Sequence, residues 1–414
     1  MLTKNEKIKQ AIQKTREKRK SQDCKVFEVK FDKSHLSREK LRHLKMLFIE
    51  AKWLYNYQLS LEDVFDFSYK MKEVEVLNQE RQKEIREINC LSAQMRQILV
   101  RRLQQNILNL SKAKKKGSKV GRLKFKSQVN SIPLTQFGTT YKIEENQKYV
   151  KIQGFGRKRF KVIGLNQIPK DTGIANATLI SRNGDYYLKI TCFVSKEERI
   201  ETGKSIGLDF GIKDNVVDSD GNKYSFQFLE SKSLKKAGRR LSKKKKGSRN
   251  RFKQKLLLNK QYEKLTNKKK DAKNKFVSKL VKKNDLIVIQ DESIAGWKSS
   301  KMKGWGRKIQ HSIMGGIISD LKRKSETLVV DKYFPSTQLC PNCGLLNKHS
   351  LDKRAYSCSC GYSEDRDIHA ARNILNEGLK QFGREPIKIM PVEKKSSGSS
   401  DLRYTLLKQE ACGV

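Results

Sequence analysis

Three acidic positions stand where a carboxylate is costly. In Lys204-Ser-Ile-Gly-Leu-Asp-Phe-Gly-Ile-Lys-Asp-Asn-Val-Val-Asp-Ser-Asp-Gly221, Ile206, Leu208 and Phe210 alternate with small or polar neighbours, which predicts a strand. Asp209 falls in the middle of it, and a carboxylate in a buried strand needs a cation or hydrogen bonds to compensate it. A second buried strand, Asp285-Leu-Ile-Val-Ile-Gln290, runs into Asp291-Glu292. The third position is Asp367, where Ser363-Glu-Asp-Arg-Asp-Ile-His-Ala-Ala-Arg-Asn-Ile-Leu375 opens a helix with Asp365 as its expected N-cap. Acids from two strands and a helix could converge at one edge of a mixed sheet. Such carboxylates repel one another unless hard divalent cations join them, and Mg²⁺ favours carboxylate, water and phosphate oxygens. A two-ion site of that kind activates water for in-line attack on a phosphodiester and stabilises the leaving 3′ oxygen.

The cysteines carry the second chemistry. Cys340-Pro-Asn-Cys343-Gly and Cys358-Ser-Cys360-Gly are separated by fourteen residues between Cys343 and Cys358. Two such knuckles supply four thiolates to one tetrahedral Zn²⁺, and four sulfur ligands leave no open position, so the zinc is expected to be structural. The second knuckle is one residue shorter than the usual two-residue spacer. His349 lies in the loop between them and is expected not to be a ligand. Cys24, Cys90, Cys192 and Cys412 are scattered. That distribution excludes a disulfide framework and points to a reducing cytosol.

The 414 residues suffice for two or three domains and carry a formal charge of +47, from 91 Lys plus Arg against 44 Asp plus Glu. So large an excess implies a polyanion as partner, above all nucleic acid. No stretch approaches 18 apolar residues, which argues against a membrane span. Two tracts concentrate the charge. Lys112–Lys126 holds eight basic residues in fifteen and no acid, among them Lys114, Lys115, Lys116, Arg122 and Lys124. Residues 232–270 hold eighteen with the single acid Glu263, among them Arg239, Arg240, Lys243, Lys244 and Arg249. Both tracts are expected to contact nucleic acid.

Around these sites the pattern changes along the chain. Residues 4–23 form a basic solvated helix or arm, and residues 25–31 an isolated strand. Helical spacing then runs through Leu44, Leu47, Phe48, Ala51, Leu54 and Tyr55, and through Leu91, Met95, Ile98, Leu99, Leu103, Ile107 and Leu110. These define a helical insert, with Trp53 and Tyr57 read as core. Strands are expected at 149–152, 159–165, 177–182 and 186–194, with Asn183-Gly184 as a two-residue hairpin turn. With 25–31 they make a small antiparallel barrel-like domain. Further on, a strand is expected at 223–228. A helix is expected through Ile309, Ile313, Ile317 and Leu321, and another strand at 328–334. The Lys- and Ser-rich end reads as a flexible tail.

Ile206-Gly-Leu-Asp-Phe-Gly211, Phe334-Pro-Ser-Thr-Gln-Leu-Cys-Pro-Asn-Cys343 and Cys360-Gly-Tyr-Ser-Glu-Asp-Arg-Asp-Ile-His-Ala-Ala-Arg-Asn373 together resemble TnpB, the OrfB-type transposon nuclease with a zinc ribbon, and the related miniature type V CRISPR effectors. The likeness runs over most of residues 25–375. It implies an α/β multi-domain protein with an RNase H-like (RuvC) core split by insertions. The implied layout is an arm at 1–23, a wedge β-barrel at 24–34 and 127–202, and a helical recognition lobe with basic linker at 35–126. The nuclease core would occupy 203–336 and 362–380, with a basic helical insert at 232–280, a zinc ribbon at 337–361 and a tail at 381–414. It further implies a guide RNA, a double-stranded DNA target chosen by pairing beside a short motif, two catalytic Mg²⁺ ions, one structural Zn²⁺ and a prokaryotic, nucleoid-associated cytoplasmic setting.

Two departures from the family pattern bear on the triad. A gapless match places Gln290 where the second acid usually stands. Residues i and i+2 share a strand face, so Glu292 is expected to take that role with Asp209 and Asp367, and Asp291 is held in reserve. His369 stands where Asn is usual, and could position a water or phosphate or pack the helix. The expected activity is RNA-guided DNA endonuclease, and the alternative is a cleavage-deficient RNA-guided repressor. A strand-joining transposase would need a second catalytic module, and none is evident in the sequence.

Overall fold

The computed structural model describes residues 3–78, 80–196, 200–299, 304–350 and 353–383, in two compact units that divide between Glu198 and Arg199. Most of the tail expected at 381–414 lies outside the described residues.

The first unit opens with α1 (Lys4–Lys20), an exposed basic helix closed by a capping box between Thr3 and Glu6. Next come β1 (Gln22–Phe31), α2 (Arg38–Ser60), the hairpin β2 (Glu73–Leu77) and β3 (Lys83–Glu87), and α3 (Ala93–Lys115). The remaining strands are β4 (Ser131–Leu134), β5 (Tyr141–Ile143), β6 (Tyr149–Ile152), β7 (Arg159–Ile163), β8 (Gly173–Arg182) and β9 (Asp185–Ser195). Seven of these strands form an antiparallel sheet in the order β4-β8-β9-β1-β7-β6-β5. The lone strand of the sequence reading therefore finds two partners, β9 and β7.

Asn183 and Gly184 take φ of 53° and 79°, as a two-residue hairpin turn demands. The ladder stops at β4 and β5 rather than closing, but the sheet curls. The Tyr141 hydroxyl of β5 donates to the Ala175 carbonyl of β8, 3.1 Å away. One hydrophobic cluster runs from the inner sheet face (Phe31, Ile132, Phe160, Leu188) into α2 and α3 (Leu44, Leu47, Leu54, Met95). Trp53 and Tyr57 pack partly buried against it. The hairpin β2–β3 is an addition to the expected all-helical insert.

The second unit is built on β10 (Ser205–Asp209), β11 (Val216–Asp218) and β12 (Lys223–Tyr224), followed by the basic helical pair α4 (Lys232–Ser242) and α5 (Arg249–Lys283). Then come β13 (Leu286–Gln290), α6 (Ile294–Ser299), α7 (Trp305–His311), α8 (Met314–Lys324), β14 (Glu326–Val330), β15 (Ala355–Ser357), β16 (Ser363–Asp365) and α9 (Arg366–Gln381). Five strands form a mixed sheet in the order β12-β11-β10-β13-β14, antiparallel from β12 to β10 and parallel from β10 to β14.

Alternation sorts the two faces of this sheet. Ile206, Leu208, Ile287 and Ile289 pack against α5, α7 and α8 (Phe276, Ile309, Ile317, Leu321). On the other face Leu286 and Val288 meet Ile374, Leu375 and Leu379 of α9. Each fully buried aliphatic side chain contributes about 1.5–3 kcal/mol.

Three expected elements change. The 223–228 strand stops at Tyr224, because the Phe226 N–H turns to the Asn215 side chain and the Phe228 N–H to the His311 carbonyl. The helix through Ile309–Leu321 is broken at Ser312-Ile313 into α7 and α8. The 328–334 strand is shifted to Glu326–Val330, because Asp331 accepts the Tyr333 N–H at 2.7 Å and turns the chain.

Candidate active site and metal centre

On β10, Ser205, Gly207 and Asp209 share the face that looks onto α9. Gly207 is what lets the helix seat there. A Cβ on it would stand 2.2 Å from the Ala371 carbonyl oxygen and 2.7 Å from Leu375 Cβ, so the strand backbone and the helix touch directly. Ala371 and Asp367 are four residues apart on one helix face. Hence the contact at Gly207 carries Asp367 toward Asp209, two residues further along the strand.

The start of α9 is fixed by Asp365, whose side chain accepts from the Asp367 and Ile368 N–H groups at 3.1 and 3.4 Å and pairs with Lys223 at 2.6 Å. That agrees with the expected cap. It also leaves the Asp367 carboxylate free of capping duty.

The third acid comes from the end of β13. Leu208 pairs with Ile289 and Gln290 with Val330, so the register extends to place Asp209 beside Gln290. Gln290 is buried and committed elsewhere. Its Nε2 donates to the carbonyls of Asp331, Lys332 and Phe334 at 3.1, 3.2 and 2.8 Å, and its Oε1 accepts from the Ser336 hydroxyl at 2.9 Å. The ladder continues through Asp291 N–H to Val330 carbonyl at 3.0 Å, so Glu292 lies on the Gln290 face. Asp291 is exposed and points toward Lys322, 4.0 Å away.

The electrostatics follow this placement. Burial, then the charges of Asp367 and Glu292, hold the Asp209 carboxyl well above its ordinary range, against a hydrogen bond from the Phe210 N–H and the charge of Arg366. Burial and then Asp291 also raise Glu292, and Lys332 opposes them. Asp209, Glu292 and Asp367 are each half-buried, so all three stay reachable from solvent. Half-buried carboxylates brought to one sheet edge make a donor set suited to a hard divalent cation.

The cysteines converge more tightly. Sγ–Sγ distances are 3.5 Å for Cys343–Cys358 and 3.6 Å for Cys340–Cys360, and all four sulfurs lie within 4.8 Å of one another. A tetrahedron with Zn–S of 2.3 Å has edges of about 3.8 Å, so the set fits zinc despite the short second knuckle. Among the described residues this is the only group of three or more metal-type ligands so close. His349 is not part of it; its Nε2 lies 3.0 Å from the Ser357 carbonyl oxygen. His369 turns out to pack. It is fully buried, stacks on Tyr356 of β15 at 3.8 Å, and burial lowers its pKa to about 4, leaving a neutral ring.

The ten basic positions are exposed, and none pairs with an acid among the described residues. Lys114 and Lys115 occupy the last turn of α3, Lys116 caps it, and Arg122 and Lys124 lie in the coil beyond. Arg239 and Arg240 end α4, Lys243 and Lys244 lie in the turn after it, and Arg249 opens α5.

Residues 189–300 match the OrfB_IS605 family model, described as "Probable transposase", and residues 321–374 match that of the "Cas12f1-like, TNB domain". Together these two stretches make up less than half of the chain. Its matched stretches contain the three carboxylates and the four cysteines. A protein of Streptomyces pristinaespiralis described as "Putative RNA-guided DNA endonuclease" is 33% identical over 208 residues, 48% of this chain and 51% of that protein. TnpB-like protein L79 of Acanthamoeba polyphaga mimivirus is 40% identical over 65 residues, 16% of this chain and 12% of the relative. The chain thus spans about half the length, or less, of these curated relatives. A Cas12f1 chain solved in complex with sgRNA and target DNA aligns with TM-score 0.49 and 14% identity, over 83% of this chain and 84% of that one.

The first of the matched stretches also holds two residues whose roles the sequence reading missed. Gly207 has a weak signal in its place two residues before an acid, on the same strand face. Gln290 had the stronger one, as a lone amide at the end of an otherwise apolar strand.

Proposed function

We propose that this protein is an RNA-guided DNA endonuclease with a RuvC-type, RNase H-like core, and that Asp209, Glu292 and Asp367 are its catalytic acids. The observation that carries this is the Asp209 carboxyl. It stands at the end of β10, where burial and then the charges of Asp367 and Glu292, both remote in sequence, hold it above its ordinary range. The sheet order, three antiparallel strands followed by two parallel ones, supports the core assignment. The relative described as an RNA-guided DNA endonuclease supports the substrate. The exposed basic tracts at 112–126 and 232–270 suit guide RNA and target DNA.

Two Mg²⁺ ions held by the three carboxylates would supply Lewis-acid stabilisation of the phosphorane and leaving oxygen and lower the pKa of the attacking water. The chain's own part is to hold those oxygens in place. β10 fixes Asp209, the Gly207–Ala371 contact and the Asp365 cap fix Asp367, and the extended ladder fixes Glu292. The four-cysteine knuckle, with zinc, would brace the start of α9 through the His369–Tyr356 stack. A repressor that binds without cutting is the second reading, favoured by Gln290 standing where the family's acid is usual.

The deciding measurement uses protein purified with its own RNA and a matched DNA duplex in Mg²⁺. Wild type cuts; Asp209→Ala and Glu292→Gln bind but lose cutting by about a thousandfold or more, as several kcal/mol of lost stabilisation requires; Asp291→Asn cuts normally. Undiminished cutting by Asp209→Ala overturns the triad, and loss confined to Asp291→Asn moves the second role to that residue.

A further inference from the structure

At the same sheet edge the turn after β14 presents an aromatic ring to solvent. Gln290 pairs with Val330 in parallel register, so Lys332 stands beyond β14 as Glu292 stands beyond β13, each two residues past the paired position. The Lys332 charge acts on the Glu292 carboxyl. Tyr333, next in the chain, is 83% exposed, the largest exposure of any aromatic side chain among the described residues. Lys332 Nζ lies 5.4 Å from its ring centroid.

This ring is not on a loose loop. Its own N–H is held by Asp331 at 2.7 Å, and the carbonyls of residues 331, 332 and 334 all accept from Gln290. Ser336 completes the clamp at 2.9 Å from Gln290 Oε1. A buried amide spent wholly on one exposed turn fixes an aromatic face that gains nothing from the core. Glutamate at 290 could not donate to three carbonyls, which gives a reason for the acid to stand at 292 instead.

We infer that Tyr333 and Lys332 form a nucleotide-stacking subsite beside the carboxylates, taking a base of the single-stranded segment next to the scissile phosphate. Lys332 meets that nucleotide's phosphate. Base–aromatic stacking tolerates any sequence, which suits a site that must accept whatever strand the guide selects. The inference rests on the nuclease reading for the identity of the strand.

Two measurements test it. In single-turnover cutting of the matched duplex, Tyr333→Ala slows cleavage about tenfold or more, and Tyr333→Trp recovers most of the rate, because a ring and not the hydroxyl makes the contact. Wild-type cutting by Tyr333→Ala, or no recovery with Trp, overturns the subsite. Separately, Asp209→Ala protein bound to target substituted with 5-bromouracil around the cut position is irradiated and the crosslink mapped. A crosslink at Tyr333 supports the subsite even if the wild type proves unable to cut, in which case only the nuclease reading falls. Crosslinks confined to other residues overturn the subsite while leaving the nuclease reading intact.

Discussion

The second unit holds the four-cysteine cluster and, in the function proposed above, a carboxylate set of opposite design. The four cysteine sulfurs come from two short knuckles and lie within 4.8 Å of one another, close enough to complete the shell of one ion. The three carboxylates come from two strand ends and a helix start, are half-buried, and stay more widely spaced than the sulfurs. A closed soft shell suits a metal whose task is folding, and an open hard one suits a metal that must also hold substrate. The difference shows where the chain can tolerate electrostatic cost. The knuckle meets its ion with small local segments, whereas the carboxylate edge needs the whole sheet and α9 to hold like charges together.

The largest effect that could break this comparison is loss of zinc. Treating the protein with 1,10-phenanthroline, or substituting Cys343→Ser, should remove the metal and melt the ribbon with the start of α9, because structural zinc contributes on the order of 10 kcal/mol of apparent binding free energy. Withdrawing Mg²⁺ should stop cutting and leave the melting temperature nearly unchanged. Metal analysis with thermal unfolding reads both, and a zinc-free protein of unaltered melting temperature would reverse the assignment of roles.

Next in size is Gly207→Ala. A Cβ placed 2.2 Å from the Ala371 carbonyl must push α9 off the sheet, costing about 1–3 kcal/mol and carrying Asp367 away from Asp209. Denaturant unfolding and cleavage rate should fall together. Retention of both would mean that the close approach does not set the site.

The smallest effect sharpens the electrostatics. Asp209 carries a raised pKa, so between its unfolded and folded values the native state binds more protons. Stability of the Mg²⁺-free protein must then fall as pH rises through that window. Asp209→Asn should therefore be more stable than wild type at neutral pH without Mg²⁺. The advantage should vanish on acidification below the ordinary carboxylate range. An Asn variant no more stable at any pH would show that the acids do not crowd one another.

Much of this arrangement is legible in the residues. The cysteine spacing, the Asn183-Gly184 turn and the apolar runs around β10 and β13 each state a local requirement that a single segment meets. What escaped depends on partners the sequence does not reveal. The β2–β3 hairpin does alternate, Glu-Val-Glu-Val-Leu and Lys-Glu-Ile-Arg-Glu, but its strands are five residues each, with Leu77 and Ile85 exposed, and lie between two long helical patterns that dominate the region. The break between α7 and α8 is hidden because Ile309, Ile313 and Ile317 keep their four-residue spacing across it and all enter one core. Periodicity reports which side chains are buried, not whether the backbone bonds are continuous. Gln290 stands out as a lone amide, but what it clamps is not legible, because its acceptors belong to a turn some forty residues on.

One consequence follows from how α9 is mounted. Its ring contact with β15, the Arg372–Glu364 pair at 2.6 Å and the Arg372 hydrogen bond to the Ser219 carbonyl at 3.1 Å set the helix's rotation about its own axis. A single residue inserted between Asp367 and Ala371 would turn the first acid by about 100° relative to everything behind it. An insertion in a loop outside the helix leaves that angle alone, so the four-residue interval acts as the ruler of the site.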